Sequence, residues 1–180
     1  MEIGTLEFVM QSARAVMASL ALSYEVETGN SFAEDELKCM AENIYFEGRA
    51  EPMMGKVAIG KVVMNRIDSD RHPNTVCGVV HEGPHRESWK TRGKDVPDED
   101  RKFFPLRNKC DFSWYCDGKP DIPEDSKTWE ECLKLANMIM DEGMFDFTHG
   151  STHYHNDQVD PYWNKHLKKT LVIDNHIFYK

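Results

Sequence analysis

Two glutamates and two histidines stand at spacings that suit chemistry. Glu47 lies seven residues after Met40, which at roughly 100° per residue brings it back to within about 20° of that residue's direction. Leu37, Met40, Ala41 and Ile44 form one apolar helical face, so a carboxyl group continues a buried stripe. Burial lifts a carboxyl pKa from about 4.3, and a general acid works best with a pKa near the working pH. The plain alternative is a solvated charge paired with Arg49 or Lys56. Glu51 follows four residues later, directly before Pro52, a position that disfavours helix.

His153 and His155 are two apart, so on a strand they share one face. Neutral imidazoles on one face are metal-ligand chemistry, with Glu47 or Asp157 as a conceivable third ligand. Polar lining of a sugar groove is the rival reading. Two histidines fall short of the three-ligand set a catalytic zinc needs, so no metal and no cofactor are expected. Tyr45, Phe46, Trp114, Tyr115, Tyr154, Tyr162 and Trp163 crowd the same parts of the chain. Core packing is the default for each, although Tyr and Trp also stack on sugar rings while bonding hydroxyls.

These residues need a scaffold to position them. The apolar periodicity ending at Glu47 predicts a helix capped by Ser31 or Asp35. A break at Gly48–Pro52 precedes a second helix over Met53–Ile67, through Val57, Ala58, Ile59, Val62 and Val63. Leu6–Tyr24 reads as an amphipathic helix, which divides the chain into residues 1–33, helix and linker, and residues 34–180, the functional domain. Thr75–Val80 suits a strand or a buried helical turn. Residues 81–109 are charged, with eight Lys/Arg against six Asp/Glu. A solvated excursion is the simplest reading there, yet Trp89, Phe103 and Phe104 are hard to leave wholly exposed. Ser126 precedes another helix, through Trp129, Cys132, Leu133, Ala136, Ile139 and Met140, that stops near Gly143. Short strands are expected around Thr152–Asn156, Pro161–Trp163 and Thr170–Tyr179. The fold class is α+β, dominated by helices.

The net charge of −9 argues against nucleic acid, which needs a basic footprint, and against anionic membrane surfaces. The apolar run Ala15–Leu22 is far shorter than a membrane span of about 20 residues, and the acidic start lacks a signal peptide's basic region. Five cysteines without a CxxC pair lean toward reduced thiols rather than zinc. Cys110 and Cys116 are placed to bond to each other, to Cys77, or to nothing.

The segment IYFEGRAEPMMGKVAIGKVVMNRI resembles the opening motif of the SleB/CwlJ cell wall hydrolase family, and HPNTVCGVV, CDFSWYCDG, GSTHYHNDQVDPYW and IDNHIFY continue the likeness in order. Together the blocks cover residues from about 35 to 180. The resemblance implies a lytic transglycosylase of peptidoglycan on a lysozyme-like helical fold with a small β lobe. It places the catalytic acid on Glu47 and makes Glu51 a tuning or substrate-contacting residue. Ser113, Trp114, Tyr154 and Asn156, together with His153 and His155, become the expected substrate-binding set. Gly48 and Ala50 interchange the family's usual Ala and Gly, and residues 81–109 exceed the length found in many members.

The expected reaction is cleavage between N-acetylmuramic acid and N-acetylglucosamine, leaving 1,6-anhydro-muramic ends. The expected partner is the peptidoglycan glycan strand, bound by a monomer without membrane span or nucleic acid. A compact domain with no signal peptide suggests a phage or prophage endolysin, made in the cytoplasm and released to the wall. The alternatives are a metal-dependent N-acetylmuramoyl-L-alanine amidase using His153 and His155, and a non-catalytic peptidoglycan-binding module.

Overall fold

Helix α1 (Glu34–Gly48) opens with Glu34, Asp35 and Glu36, negative charges that suit the positive end of the helix dipole. The computed structural model describes residues 34–141 and 144–180, so the helix expected over Leu6–Tyr24 and a cap at Ser31 lie outside the described residues. Along α1 the face carrying Met40, Ala41, Ile44 and Tyr45 is buried. Its last residue, Gly48, lets α2 (Met53–Ile67) approach: a Cβ there would stand 2.9 Å from Ile59 Cδ1. That gives a packing reason for the glycine at this position.

Pro52 precedes α2 in extended conformation, φ −62° and ψ 162°, and makes the expected break. Helix α2 is the central element because both of its sides are covered. On one side Gly60 meets α4 (Ser126–Met140) so closely that an added Cβ would lie 2.7 Å from Ile139 Cδ1. On the other, Ala58 and Val62 pack against Phe178, with Phe147, Tyr154, Leu171 and Ile173 around them. Helix α4 starts where Asp125 accepts the Lys127 and Thr128 N–H groups at 3.0 and 3.2 Å, an N-cap.

Val76–Val80 is helical, α3, which settles the strand-or-turn ambiguity. Thr75 caps it, and Glu36 of α1 accepts the Val76 N–H at 2.6 Å. A disulfide between Cys39 and Cys77 ties the same two helices together. A second joins Cys110 to Cys116, and Cys132 is free and buried. The expectation of reduced thiols is therefore corrected. Pairing depends on Cα approach, here 5.2 and 6.1 Å, which spacing along the chain does not reveal.

Residues 81–109 are built around an antiparallel hairpin of β1 (His85–Glu87) and β2 (Phe103–Pro105), with Arg86 opposite Phe104. The C-terminal lobe is a three-stranded antiparallel sheet of β3 (His153–Asn156), β4 (Lys169–Ile173) and β5 (His176–Tyr179), in the order β3-β5-β4. Asp174, with φ 48°, makes the turn between β4 and β5. The strand expected at Pro161–Trp163 is a 3₁₀ helix over Tyr162–His166 instead. Pro161 has no N–H for a ladder, and its carbonyl accepts the Asn164 N–H at 3.1 Å. The fold is α+β, helix-dominated, with a small β lobe. Among the described residues no helix is long and apolar enough to cross a membrane.

Candidate active site

Glu47 stands half-buried in the last turn of α1. Tyr154, in the middle of β3, donates its hydroxyl to Glu47 Oε2 at 3.1 Å. Strand alternation explains the aim. Tyr154 points toward α1 and α2, where its ring leans on Phe178 (centroids 5.5 Å) and meets the edge of His176 (5.3 Å). Burial raises the Glu47 pKa, and the Tyr154 hydroxyl, His176 and Arg66 offset part of that rise. Burial and the adjacent Glu47 carboxyl hold Tyr154 well above the ordinary phenol value, so it stays a donor.

Three side chains of α2 fix the segment that delivers β3. Lys61 donates to Met144 O at 2.7 Å. Asn65 donates to Thr148 Oγ1 and to Ser151 O, both at 3.0 Å. Arg66 is buried, donates through Nε to Thr152 O at 2.8 Å, and pairs through Nη1 with Asp111 at 3.1 Å. Its guanidinium also lies over the Phe112 ring at 5.1 Å.

Glu47 and Ser113 line two cavities, of about 280 and 470 Å³. The acid therefore stands where the two meet, with room for sugar units on either side. The smaller cavity is completed by Arg66, Asp111, Phe112, His153, Tyr154 and Trp163. The larger carries Phe46, Arg49, Trp114, Asp117 and Lys119 on its walls.

The expected substrate-binding residues separate into two groups. Ser113, Tyr154 and His153 join Glu47 at the cavities. Trp114 belongs to the floor: it is 8% exposed, stacks on Phe46 at 4.7 Å and gives its indole N–H to Asn43. Glu51 faces away from the cavities, its Oε2 buried 3.3 Å from His176 Nδ1 without hydrogen-bond alignment. Asn156 accepts the Gln158 N–H at 3.0 Å and stands outside both cavity linings.

His155 is buried against Tyr179. Its Nε2 is 3.0 Å from the Tyr179 hydroxyl and its Nδ1 is 2.8 Å from Asn156 O. Both ring nitrogens are thus engaged, which removes it from any ligand pair with His153. Trp163 covers both histidines, at 5.2 and 5.5 Å. Sequence reasoning missed Arg66, Asp111 and His176 as site residues. Each sits inside a quoted motif block, and that was the available signal.

A model of the cell wall hydrolase family matches residues 50–179, beginning three residues after Glu47. The spore cortex-lytic enzyme of Bacillus cereus is 42% identical over 53 residues, 29% of this chain and 20% of that protein. That of Bacillus subtilis is 41% identical over 51 residues, 28% of this chain and 17% of that protein. The chain therefore matches about a fifth of the length of these relatives. The catalytic domain of the Bacillus cereus SleB protein superposes with a TM-score of 0.54 at 24% identity, covering 86% of this chain and 97% of that one. The catalytic domain of the germination-specific lytic transglycosylase SleB from Bacillus anthracis gives 0.56 at 25% identity, covering 85% and 100%. The lysozyme-like architecture expected from the motifs is the fold of these domains. With a family model spanning most of its length and that shared fold, this chain belongs to the cell wall hydrolase family.

Proposed function

We propose that this cell wall hydrolase is a lytic transglycosylase that cleaves the peptidoglycan glycan strand between N-acetylmuramic acid and N-acetylglucosamine. The observation that carries the reading is one half-buried acid, Glu47, held by Tyr154 where two cavities meet. Asp111, the other carboxylate lining the smaller cavity, is already paired with Arg66. Glycosidases that use water or an enzyme nucleophile need two carboxyls at defined separations, and an internal nucleophile removes that requirement.

In this mechanism Glu47 gives its proton to the glycosidic oxygen as the C–O bond breaks. The carboxylate left behind accepts the Tyr154 hydroxyl. It then takes the proton from the muramic C6 hydroxyl as that oxygen attacks the oxocarbenium-like carbon, which closes the 1,6-anhydro ring and restores the acid. The apolar and aromatic walls formed by Phe112 and Trp163 keep water from the intermediate. The wall is the proposed site of action, and two disulfides suit work outside a reducing cytoplasm. Release to the wall as an endolysin is the delivery route that we propose.

Mass spectrometry of peptidoglycan digested by the purified protein tests the reaction. Muropeptides one water lighter than lysozyme products, without reducing ends, are expected. Hydrated reducing ends would mean a two-carboxylate hydrolase, and free stem peptides would mean an amidase.

A further inference from the structure

The β1–β2 hairpin bounds a concave pocket of about 680 Å³, larger than either cavity at Glu47. Arg86, Lys90, Arg92 and Lys102 line it, all exposed, and none of the four pairs with a carboxylate among the described residues. The one acid in the lining, Glu87, is taken by Arg101 at 2.9 Å. Trp89 is 74% exposed, with the Lys90 ammonium 5.8 Å from its ring centre. Four cations without a carboxylate partner and an open indole therefore share one concavity of a −9 protein, a local positive field suited to an anionic group. The chain's overall charge repels an acidic polymer, and this pocket reverses the sign locally.

The hairpin is rooted in the catalytic groove. Asp111 N–H donates to Glu82 O at 3.0 Å, and Leu106 N–H to Pro84 O at 2.9 Å. Gly83 presses on Cys110, where a Cβ would come 2.9 Å from its Cα. The outgoing strand therefore leads directly into Asp111, Phe112 and Ser113, which line the cavity beside Glu47.

We propose that the hairpin pocket is a second wall-binding site that takes the carboxylates of peptidoglycan stem peptides while Glu47 acts on the glycan. The proposal rests on the glycan-cleaving reading above. Stem peptides are attached to the muramic sugars themselves, so their carboxylates are the anions that accompany this substrate. Guanidinium forks at positions 86 and 92 match carboxylates in a bidentate manner, and Trp89 offers a flat face to the peptide or sugar beside them. The cations line a concavity of about 680 Å³, which favours a discrete anionic group over a lipid surface.

Co-sedimentation of the full chain as Glu47→Gln, which binds without digesting, tests this. Three probes are needed: sacculi stripped of phosphate polymers with hydrofluoric acid, the same sacculi with their carboxyls amidated, and phosphatidylglycerol vesicles. Stripped sacculi should bind in a salt-sensitive manner, and amidation should weaken binding by about tenfold, a few-fold for each exposed pair. The triple variant R86Q/R92Q/K102Q should lose the same factor and ignore amidation. Equal binding to amidated and untreated sacculi overturns the proposal, as does loss of binding on phosphate stripping or preference for vesicles. The amidation comparison needs no hairpin variant, so equal binding overturns the proposal even if the triple variant fails to fold. Cleavage of peptide-free glycan by the wild-type protein separates the two readings. It should proceed at the same rate in the triple variant. A wild-type protein inactive on both glycans removes the glycosidase reading, whereas equal KM for peptide-bearing glycan in wild type and triple variant removes this inference alone.

Discussion

The helical half and the β lobe are held by different forces. Around α1, α2 and α4 the contacts are apolar and fully buried, as at Met40, Ile44, Ile59, Val63 and Ile139. The lobe is anchored at Phe178, with the partly buried Tyr154, Leu171 and Ile173 around it, and is held as well by polar links from Lys61, Asn65 and Arg66. The acid belongs to the first region and its hydrogen-bond donor to the second. The site is therefore complete only when the lobe is docked, and the lobe is the less redundantly held partner. Two glutamates four residues apart show the same contrast. Glu47, in the last turn of α1, lines the cavities, whereas Glu51, inside the break, is buried against His176 of the lobe.

The largest effect should come from Glu47→Gln, which keeps the shape and removes the proton. General acid–base catalysis contributes about 10²–10⁴-fold, and kcat on purified peptidoglycan should fall by that amount with the fold intact. The same variant tests the helical side by melting. A raised carboxyl pKa contributes stability that is full below the ordinary value of 4.5 and is lost as pH rises through the raised value. Glu47→Gln should therefore melt above the wild type near neutrality, with the gap closing in acid. An equal gap at all pH values would remove burial as the cause.

Phe178→Ala strikes the lobe's anchor. Truncating a buried Phe costs about 3–5 kcal/mol, read as a lower urea midpoint. Activity should fall even well below the melting temperature, because Tyr154 leans on that ring. Unchanged activity at full folding would mean that the lobe docks without it.

Tyr154→Phe removes the link across the two regions. The hydroxyl stabilises the carboxylate that forms as Glu47 donates its proton, and such a bond is worth about 1.5–3 kcal/mol. A drop in kcat/KM of about tenfold or more is expected. The alkaline limb of the pH profile should move upward, because the lost bond had lowered the Glu47 pKa. A merely structural tyrosine would leave that limb in place.

The smallest effect is expected from Asn65→Ala, which frees Thr148 Oγ1 and Ser151 O. The cost should be about 1 kcal/mol in chemical denaturation, with kcat reduced less than for Tyr154→Phe. A larger activity loss than for Tyr154→Phe would make the polar links, rather than Phe178, the chief support of the lobe.

What the sequence determined by itself was local or carried by motif. Apolar periodicity placed the helix ending at Glu47, the break at Pro52 and the helix over Met53–Ile67, because a 3.6-residue period is written in consecutive residues. It also put Glu47 on the buried side, and the ordered motif blocks named the family. The tertiary structure alone decided what meets Glu47. Tyr154 is 107 residues away, and neither its strand's register with β5 nor its reach across α2 has a local signature. The same holds for the Arg66–Asp111 pair, for the cysteine pairings, and for Glu51, which lies against a histidine of β5. Period and propensity report which way a side chain faces on its own element. Which partner waits there is set by how the elements pack, and that packing is a property of the whole chain.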